Sequence, residues 1–276
     1  MNGARKQDVF VNGVTIHVQT VGKGEPLLLL MGLGAPGDKW EPNVNAYRQH
    51  FQCILIDNRG AGQSSKPETG DYSISDMAED AVAVLDALHV DRAHINGISM
   101  GGAIAQEIAI RHPERVGALV LTSTFCSVSN SFLTAIETLR DYVDKMDRRA
   151  FKRLNQWMTF AQKTQNERPD FLLELAEQDA AYPYPMPAYA YKAQCNACLA
   201  HDTAARLNEI IAPTLIAAGD CDLFVPETVV QKLHRGIHNS QLYVCPNGGH
   251  VHQWEYLEDY NRITLDFLLA HRTKRP

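Results

Sequence analysis

The chain has 276 residues, 45% of them hydrophobic and 21% charged, and its 26 basic and 32 acidic side chains give a net charge of −6. That length suits one or two domains and buries a large core without disulfide or metal staples; the ordinary apolar fraction excludes disordered and collagen-like classes. A mildly acidic chain with no basic block offers phosphate backbones no electrostatic footprint, so nucleic acid is not an expected partner.

In chain order, residues 8–11 and 14–20 flank Asn12-Gly13, a strong signal for a hairpin turn. Residues 26–31 and 53–57 are continuous apolar runs of the kind that form buried strands. Residues 75–88 read as a helix, with Ser75 as its cap and Met77, Ala81, Val84, Leu85 and Leu88 at helical spacing. A short strand over 94–96, a helix over 99–111 stopped near Pro113, and a strand over 117–122 come next. Strand signals return at 213–218 and 241–245, and an amphipathic helix over 257–269 closes the chain. Such alternation predicts an α/β protein with a mostly parallel central sheet flanked by helices.

Between residues 127 and 205 the rhythm changes. Helical patterns over 132–146, 150–164 and 170–178 dominate, followed by Tyr182-Pro183-Tyr184-Pro185-Met186-Pro187-Ala188-Tyr189-Ala190-Tyr191. The segment is too long for an ordinary connection and reads as a helical cap, or lid, over residues 127–205, inserted into a core of residues 1–126 and 206–276. Tyr182, Tyr184, Tyr189 and Tyr191 either line an acyl pocket or sit in a proline-fixed, extended connector packed on the core.

Six cysteines in a chain this long form no dense framework. The start, Met1 to Asp8, lacks the apolar core of a signal peptide, and the longest strongly apolar run, residues 27–31, is too short to span a bilayer. A cytoplasmic protein with reduced thiols and no membrane partner is expected. Cys195-Asn196-Ala197-Cys198 has zinc-ligand spacing, but no second pair follows at finger spacing, and a helix carrying two small residues accounts for it better.

Chemistry concentrates at Gly97-Ile98-Ser99-Met100-Gly101, between a predicted strand and a predicted helix. A sharp turn there lifts the Ser99 hydroxyl out of the sheet, the context that a nucleophile elbow requires. The helix N-terminus supplies unpaired N–H groups and positive potential suited to a developing oxyanion. A serine hydroxyl needs a base, and the base an orienting acid. Of eleven histidines, His250 stands out because Pro246-Asn247-Gly248-Gly249-His250 follows the last predicted strand, where open α/β sheets bind ligands. His252 makes a His-x-His pair with it, but no carboxylate cluster supports a metal. For the acid, Asp220 and Asp222 both lie in the loop after residues 213–218, and either is also compatible with a turn.

The order Ser…Asp…His, together with Gly97–Gly101, Gly219-x-x-Asp222-x-x-x-Pro226 and Gly249-His250, resembles the α/β-hydrolase superfamily over residues 8–125 and 205–270. The resemblance implies an α/β-hydrolase fold and a Ser99, Asp222, His250 triad, since in such families the acid sits four residues before that proline. It also implies an oxyanion hole from the backbone N–H of Met100 and of Leu33, in Met31-Gly32-Leu33-Gly34, where relatives usually have His before the glycine. The segment Asp57-Asn58-Arg59-Gly60-Ala61-Gly62-Gln63-Ser64 is similar to the turn after strand four of the superfamily and is assigned no chemistry.

Three branches are similar. Meta-cleavage-product hydrolases, which split C–C bonds, resemble Gly34-Ala35-Pro36-Gly37-Asp38-Lys39-Trp40 and the run from Gly249 to Glu255, but normally carry Asn before the nucleophile and Trp after the histidine; here Ile98 and Val251 stand there and donate no side-chain hydrogen bond. Enol-lactonases and aminoacrylate-type hydrolases resemble the Leu33 loop, Asn58-Arg59-Gly60 and Gly248-Gly249-His250. Carboxylesterases fit every motif. The expected function is hydrolysis of small to medium carboxylic esters through an acyl-enzyme, with no cofactor and no metal, by a monomer or homodimer. Lactone or C–C hydrolysis, and a receptor-like binding protein on the same fold, are the alternatives.

Overall fold

The computed structural model describes residues 3–68 and 72–272. The N-terminal hairpin pairs β1 (Arg5–Val11) with β2 (Val14–Val21). Asn12 and Gly13 both take positive φ, 49° and 78°, as a two-residue turn between twisted strands requires. Then follow β3 (Glu25–Leu30), α1 (Glu41–Tyr47), β4 (Phe51–Ile56), α2 (Ile74–Ala87), β5 (Ala93–Ile98), α3 (Met100–Arg111) and β6 (Val116–Thr122). Five helices come next: α4 (Asn130–Tyr142), α5 (Arg148–Thr159), α6 (Gln162–Glu167), α7 (Pro169–Ala180) and α8 (Ala188–Ala200). The alternation resumes with β7 (Thr214–Gly219), α9 (Glu227–Gly236), β8 (Ser240–Cys245), α10 (His252–Glu255) and α11 (Leu257–Ala270).

The strands form one eight-stranded sheet in the order β1-β2-β4-β3-β5-β6-β7-β8. From β4 onward every neighbour is parallel; only the two pairings of β2 are antiparallel. Strands buried on both faces read as unbroken apolar runs, and the two faces separate by alternation. Leu28, Leu30, Ile54, Ile56 and Ile95 face the layer that includes α2, α3 and α9, whereas Leu27, Leu29, Cys53, Leu55 and Val120 face α1 and α11. Register brings Leu30 beside Gly97, Ile98 beside Thr122 and Gly219 beside Cys245. The loops carrying Leu33, Ser99, Asp222 and His250 therefore all leave the sheet at its carboxyl edge, where α/β sheets bind ligands.

Three expected boundaries are corrected. The cap of α2 is Ser73 and not Ser75: the Ser73 hydroxyl accepts the Asp76 N–H at 2.9 Å and the Asp76 carboxylate accepts the Ser73 N–H at 3.2 Å. That reciprocal pair needs an acid three residues after the cap, which only Ser73 has. The helix expected over 150–164 is two helices, α5 and α6, because Phe160 and Ala161 are extended. Their strand-like geometry frees backbone groups for the loop around His250, described below. Finally, Tyr189 and Tyr191 belong to α8 rather than to an extended connector, since Pro187 caps that helix. Cys195 and Cys198 lie buried on the same helix. Among the described residues, no helix is long and apolar enough to cross a membrane.

Candidate active site

Ser99 sits between β5 and α3 at φ 53°, ψ −117°, outside the regions open to ordinary L-residues. Such a conformation costs on the order of 1–3 kcal/mol and persists only where its surroundings fix it. Here the Ser99 N–H donates to the Thr122 carbonyl at 2.9 Å, and its own carbonyl accepts the Thr124 hydroxyl at 2.7 Å. The flanking glycines are sterically required: a Cβ on Gly97 would meet the Gly101 carbonyl oxygen at 2.3 Å, and one on Gly101 would meet that of Leu30 at 2.2 Å.

The loop after β3 runs against this serine. A Cβ on Gly32 would lie 3.3 Å from Ser99 Cβ and 3.9 Å from its Oγ. A tight turn, with the Ala35 N–H donating to the Gly32 carbonyl at 3.2 Å, leaves Leu33 at the tip and Gly34 at φ 70°. Met31 replaces the usual histidine, and other residues brace the loop. Asn58 Nδ2 donates to the Met31 carbonyl at 3.1 Å. Gln194, fully buried on α8, accepts the Gly34 N–H at 2.8 Å and donates to the Arg59 carbonyl at 2.8 Å. The Asp57 carboxylate holds the neighbouring turn, accepting the N–H of Gly37 at 2.6 Å and of Gln63 at 2.7 Å. Burial raises its pKa, opposed by those two hydrogen bonds.

Of the two aspartates, the fold brings only Asp222 to the histidine. His250 Nδ1 lies 3.0 Å from Asp222 Oδ1 and 2.9 Å from Oδ2, and both residues are buried. Asp222 Oδ1 also accepts the N–H groups of Phe224 at 2.8 Å and Val225 at 3.0 Å, which aim the carboxylate. Asp220 is exposed. The Phe224 ring packs on the imidazole at 4.9 Å between centroids. His252 turns away from the pair: it is buried, faces Ser123 Oγ at 3.3 Å and the edge of Tyr260, and burial pushes its pKa down to about 4.

Ser99, Leu33 and His250 line one cavity of about 140 Å³. Its walls also include Ile98 and Val251, apolar as expected. Those two side chains donate nothing, but the cavity does not lack donors, because Lys39, Lys152, Asn155, Gln156, Gln253 and Trp254 line it too. Gln156 Nε2, both amide atoms of Gln253 and Trp254 Nε1 are buried without a hydrogen-bond partner in the described residues. Sequence reasoning missed these groups, although Arg148, Lys152, Gln156 and Thr159 recur at helical spacing along α5 and mark one face of it. Of the four tyrosines, only Tyr191 reaches this cavity; Tyr182 and Tyr184 line a neighbouring one, and Tyr189 lines neither.

The helical insertion meets the histidine loop at residues 159–161. The Val251 N–H donates to the Thr159 carbonyl at 3.3 Å, and Glu255 accepts the N–H of Ala161 at 2.9 Å and of Gly249 at 2.6 Å. Gly249 is pressed so closely that a Cβ there would lie 2.5 Å from the Ala161 nitrogen.

A strained serine between strand and helix and the histidine of a buried histidine–carboxylate pair thus line one cavity. Residues 25–256 match the family model described as the alpha/beta hydrolase fold. The chain belongs to that family. It is a hydrolase of the alpha/beta type, in keeping with its relatives. It is 32% identical over 246 residues to "Putative carbamate hydrolase RutD" of Variovorax paradoxus, covering 89% of this chain and 92% of that one. It is 34% identical over 278 residues to a 2-hydroxy-6-oxononadienedioate/2-hydroxy-6-oxononatrienedioate hydrolase of Paraburkholderia phymatum, covering 92% and 90%. Among solved structures, the enol-lactonase of Burkholderia xenovorans LB400 superimposes with a TM-score of 0.86 at 23% identity, over 95% of this chain and all of that one, a likeness of fold.

Proposed function

We propose that this hydrolase cleaves carboxylic esters through an acyl-enzyme on Ser99. The observation that carries the reading is the Asp222–His250 pair at 2.9 and 3.0 Å, at the cavity that Ser99 lines. With Nδ1–H donating to Asp222, the imidazole keeps Nε2 free as a base. Ser99 Oγ attacks the ester carbonyl carbon and its proton passes to His250 Nε2. Asp222 stabilises the imidazolium, and the N–H groups of Leu33 and Met100 hold the oxyanion. Collapse breaks the C–O bond, and the leaving alcohol takes the proton from His250. Water then attacks the acyl-enzyme with His250 again as base, releasing the acid and restoring the serine. Residues 127–205 act as a cap over the substrate. No cofactor enters the scheme, and the site suits a small molecule in the cytoplasm.

C–C hydrolysis is the second reading. The Paraburkholderia phymatum relative is named for a dienedioate, and the donors on the cavity wall supply polar groups that Ile98 and Val251 do not. Purified protein assayed with p-nitrophenyl esters of graded chain length, and with a meta-cleavage dienoate, decides between them. Higher kcat/KM on the esters is expected, with Ser99→Ala lowering it by roughly three to six orders of magnitude while the fold is kept. A Ser99→Ala variant retaining a tenth of the activity overturns the serine mechanism. Equal or better kcat/KM on the dienoate overturns the ester reading, and tight ligand binding with negligible turnover of either points to a receptor.

A further inference from the structure

The cavity at Ser99 adjoins a second one of about 200 Å³, and the walls they share include Lys39, Phe151, Lys152, Asp179 and Tyr191. Three cations and one carboxylate line this far region: Lys39, Lys152 and, in the second cavity, Arg148, against Asp179. Lys39 is ion-paired with Asp179. Arg148 spends its guanidinium on the carbonyls of Asp179 and Tyr182, which fix its orientation, and it pairs with no carboxylate within 4 Å among the described residues. Lys152 has neither a hydrogen bond nor an ion pair within 4 Å among the described residues. Burial lowers its pKa; Asp179 opposes that, and Lys39 and Arg148 add to it. A partly buried ammonium beside two further cations is short of counter-charge, and a carboxylate entering there gains a charge-assisted hydrogen bond. The same wall offers Gln156 Nε2, buried and unpartnered.

We infer that Lys152, with Lys39, forms a subsite for a carboxylate carried by the substrate at the end remote from the scissile carbonyl, so that the preferred substrate is an anionic half-ester or lactone acid rather than a neutral ester. The inference rests on the proposed function only in naming the substrate an ester or lactone; the subsite itself is defined by its place in the cavity that Ser99 lines. The second cavity extends this space past Lys152, which gives the longer, charged end of such a substrate its room.

The test compares p-nitrophenyl hydrogen adipate with p-nitrophenyl hexanoate, two six-carbon acyl chains that differ in a terminal carboxylate against a methyl. The wild-type ratio of kcat/KM, anionic over neutral, is expected to be at least about tenfold, equivalent to about 1.4 kcal/mol. It is expected to fall towards one in Lys152→Met, to invert in Lys152→Glu and to survive in Lys152→Arg. Calorimetric binding of the same two esters to Ser99→Ala gives a second ratio that needs no turnover. If neither ester is hydrolysed but the adipate binds more tightly through Lys152, the ester reading fails and the subsite stands. A wild-type ratio of one or less by both measures, or a preference that Lys152→Met leaves intact, overturns the subsite whatever the protein hydrolyses.

Discussion

Glu255 and Gly249 are joined by a 2.6 Å hydrogen bond in which the carboxylate accepts the N–H of the residue preceding His250. The other oxygen of the same carboxylate accepts the Ala161 N–H at 2.9 Å, so one side chain fastens the histidine loop to the break between α5 and α6. Glu255→Ala leaves two donors without their acceptor, at about 1–3 kcal/mol for each one kept from water. The expected outcome is a kcat lowered about 10- to 100-fold, a smaller change in KM and a lower denaturation midpoint. Glu255→Gln, which keeps one acceptor oxygen, falls between. Wild-type kcat in Glu255→Ala would show that His250 is held without this contact.

Asp222 and Asp220 are told apart by a pair of amide substitutions. In Asp222→Asn, the remaining oxygen keeps the Phe224 and Val225 N–H groups, so the new amide NH2 faces His250 Nδ1. Nδ1 must then accept, which puts the proton on Nε2 and removes the base. A loss of about 10⁴ in kcat is expected. Asp220→Asn, at an exposed carboxylate with no contact to the imidazole, is expected to cost under about tenfold. Stopped assays of both variants on one ester check this, and a large loss at Asp220 would refute the role given to Asp222.

Much of the fold and the candidate site was legible because the signals are local. A strand buried on both faces is an apolar run, as in residues 27–30, and Gly97 to Gly101 needs only its strand and helix to be read as an elbow. What stayed hidden acts across the chain: Ala161 and Glu255 are 94 residues apart, and Gly34 and Gln194 are 160 apart. No periodicity reports such partners. The single helix expected through residue 160 fails for the same reason, since the tertiary bond from Ala161 to Glu255 competes with helix continuation and wins. Ser73 differs: its capping box with Asp76 is local and readable, whereas Ser75 has only Ala78 three residues on.

Gln194 supplies the next expectation. Its amide joins Gly34, one residue beyond Leu33, to the Arg59 carbonyl. Gln194→Leu conserves volume but leaves a peptide N–H and a carbonyl without partners, destabilising the fold by about 1–3 kcal/mol. With Leu33 N–H as the proposed oxyanion donor, a loop that no longer holds it in place is expected to lower kcat more than it raises KM, by about tenfold or more, because the oxyanion forms only in the transition state. Kinetics on the folded fraction, with the fraction fixed by a urea titration, separate the two effects. A variant that loses stability but keeps kcat would remove Gln194 from any part in positioning.

The pH dependence of stability carries a definite sign. Burial pushes the pKa of both His252 and His201 down to about 4, whereas an unfolded histidine titrates near about 6.5. Each is therefore neutral in the folded protein across a window in which the unfolded chain binds the proton. Where the unfolded state holds more protons, stability rises with pH, so it is expected to fall as pH drops from about 6.5 towards 4. The size is on the order of 1–3 kcal/mol for each imidazole, because a tenfold difference in proton affinity between the two states is worth about 1.4 kcal/mol. Asp57, whose pKa burial raises, acts in the opposite sense above the ordinary carboxylate range and partly offsets the slope. His252→Gln isolates one imidazole: the side chain remains able to meet Ser123 but no longer titrates. Urea midpoints at pH 7, 6 and 5 are expected to drop more steeply for the wild type than for this variant. Parallel slopes would mean that His252 is already charged, or already solvated, in the folded protein.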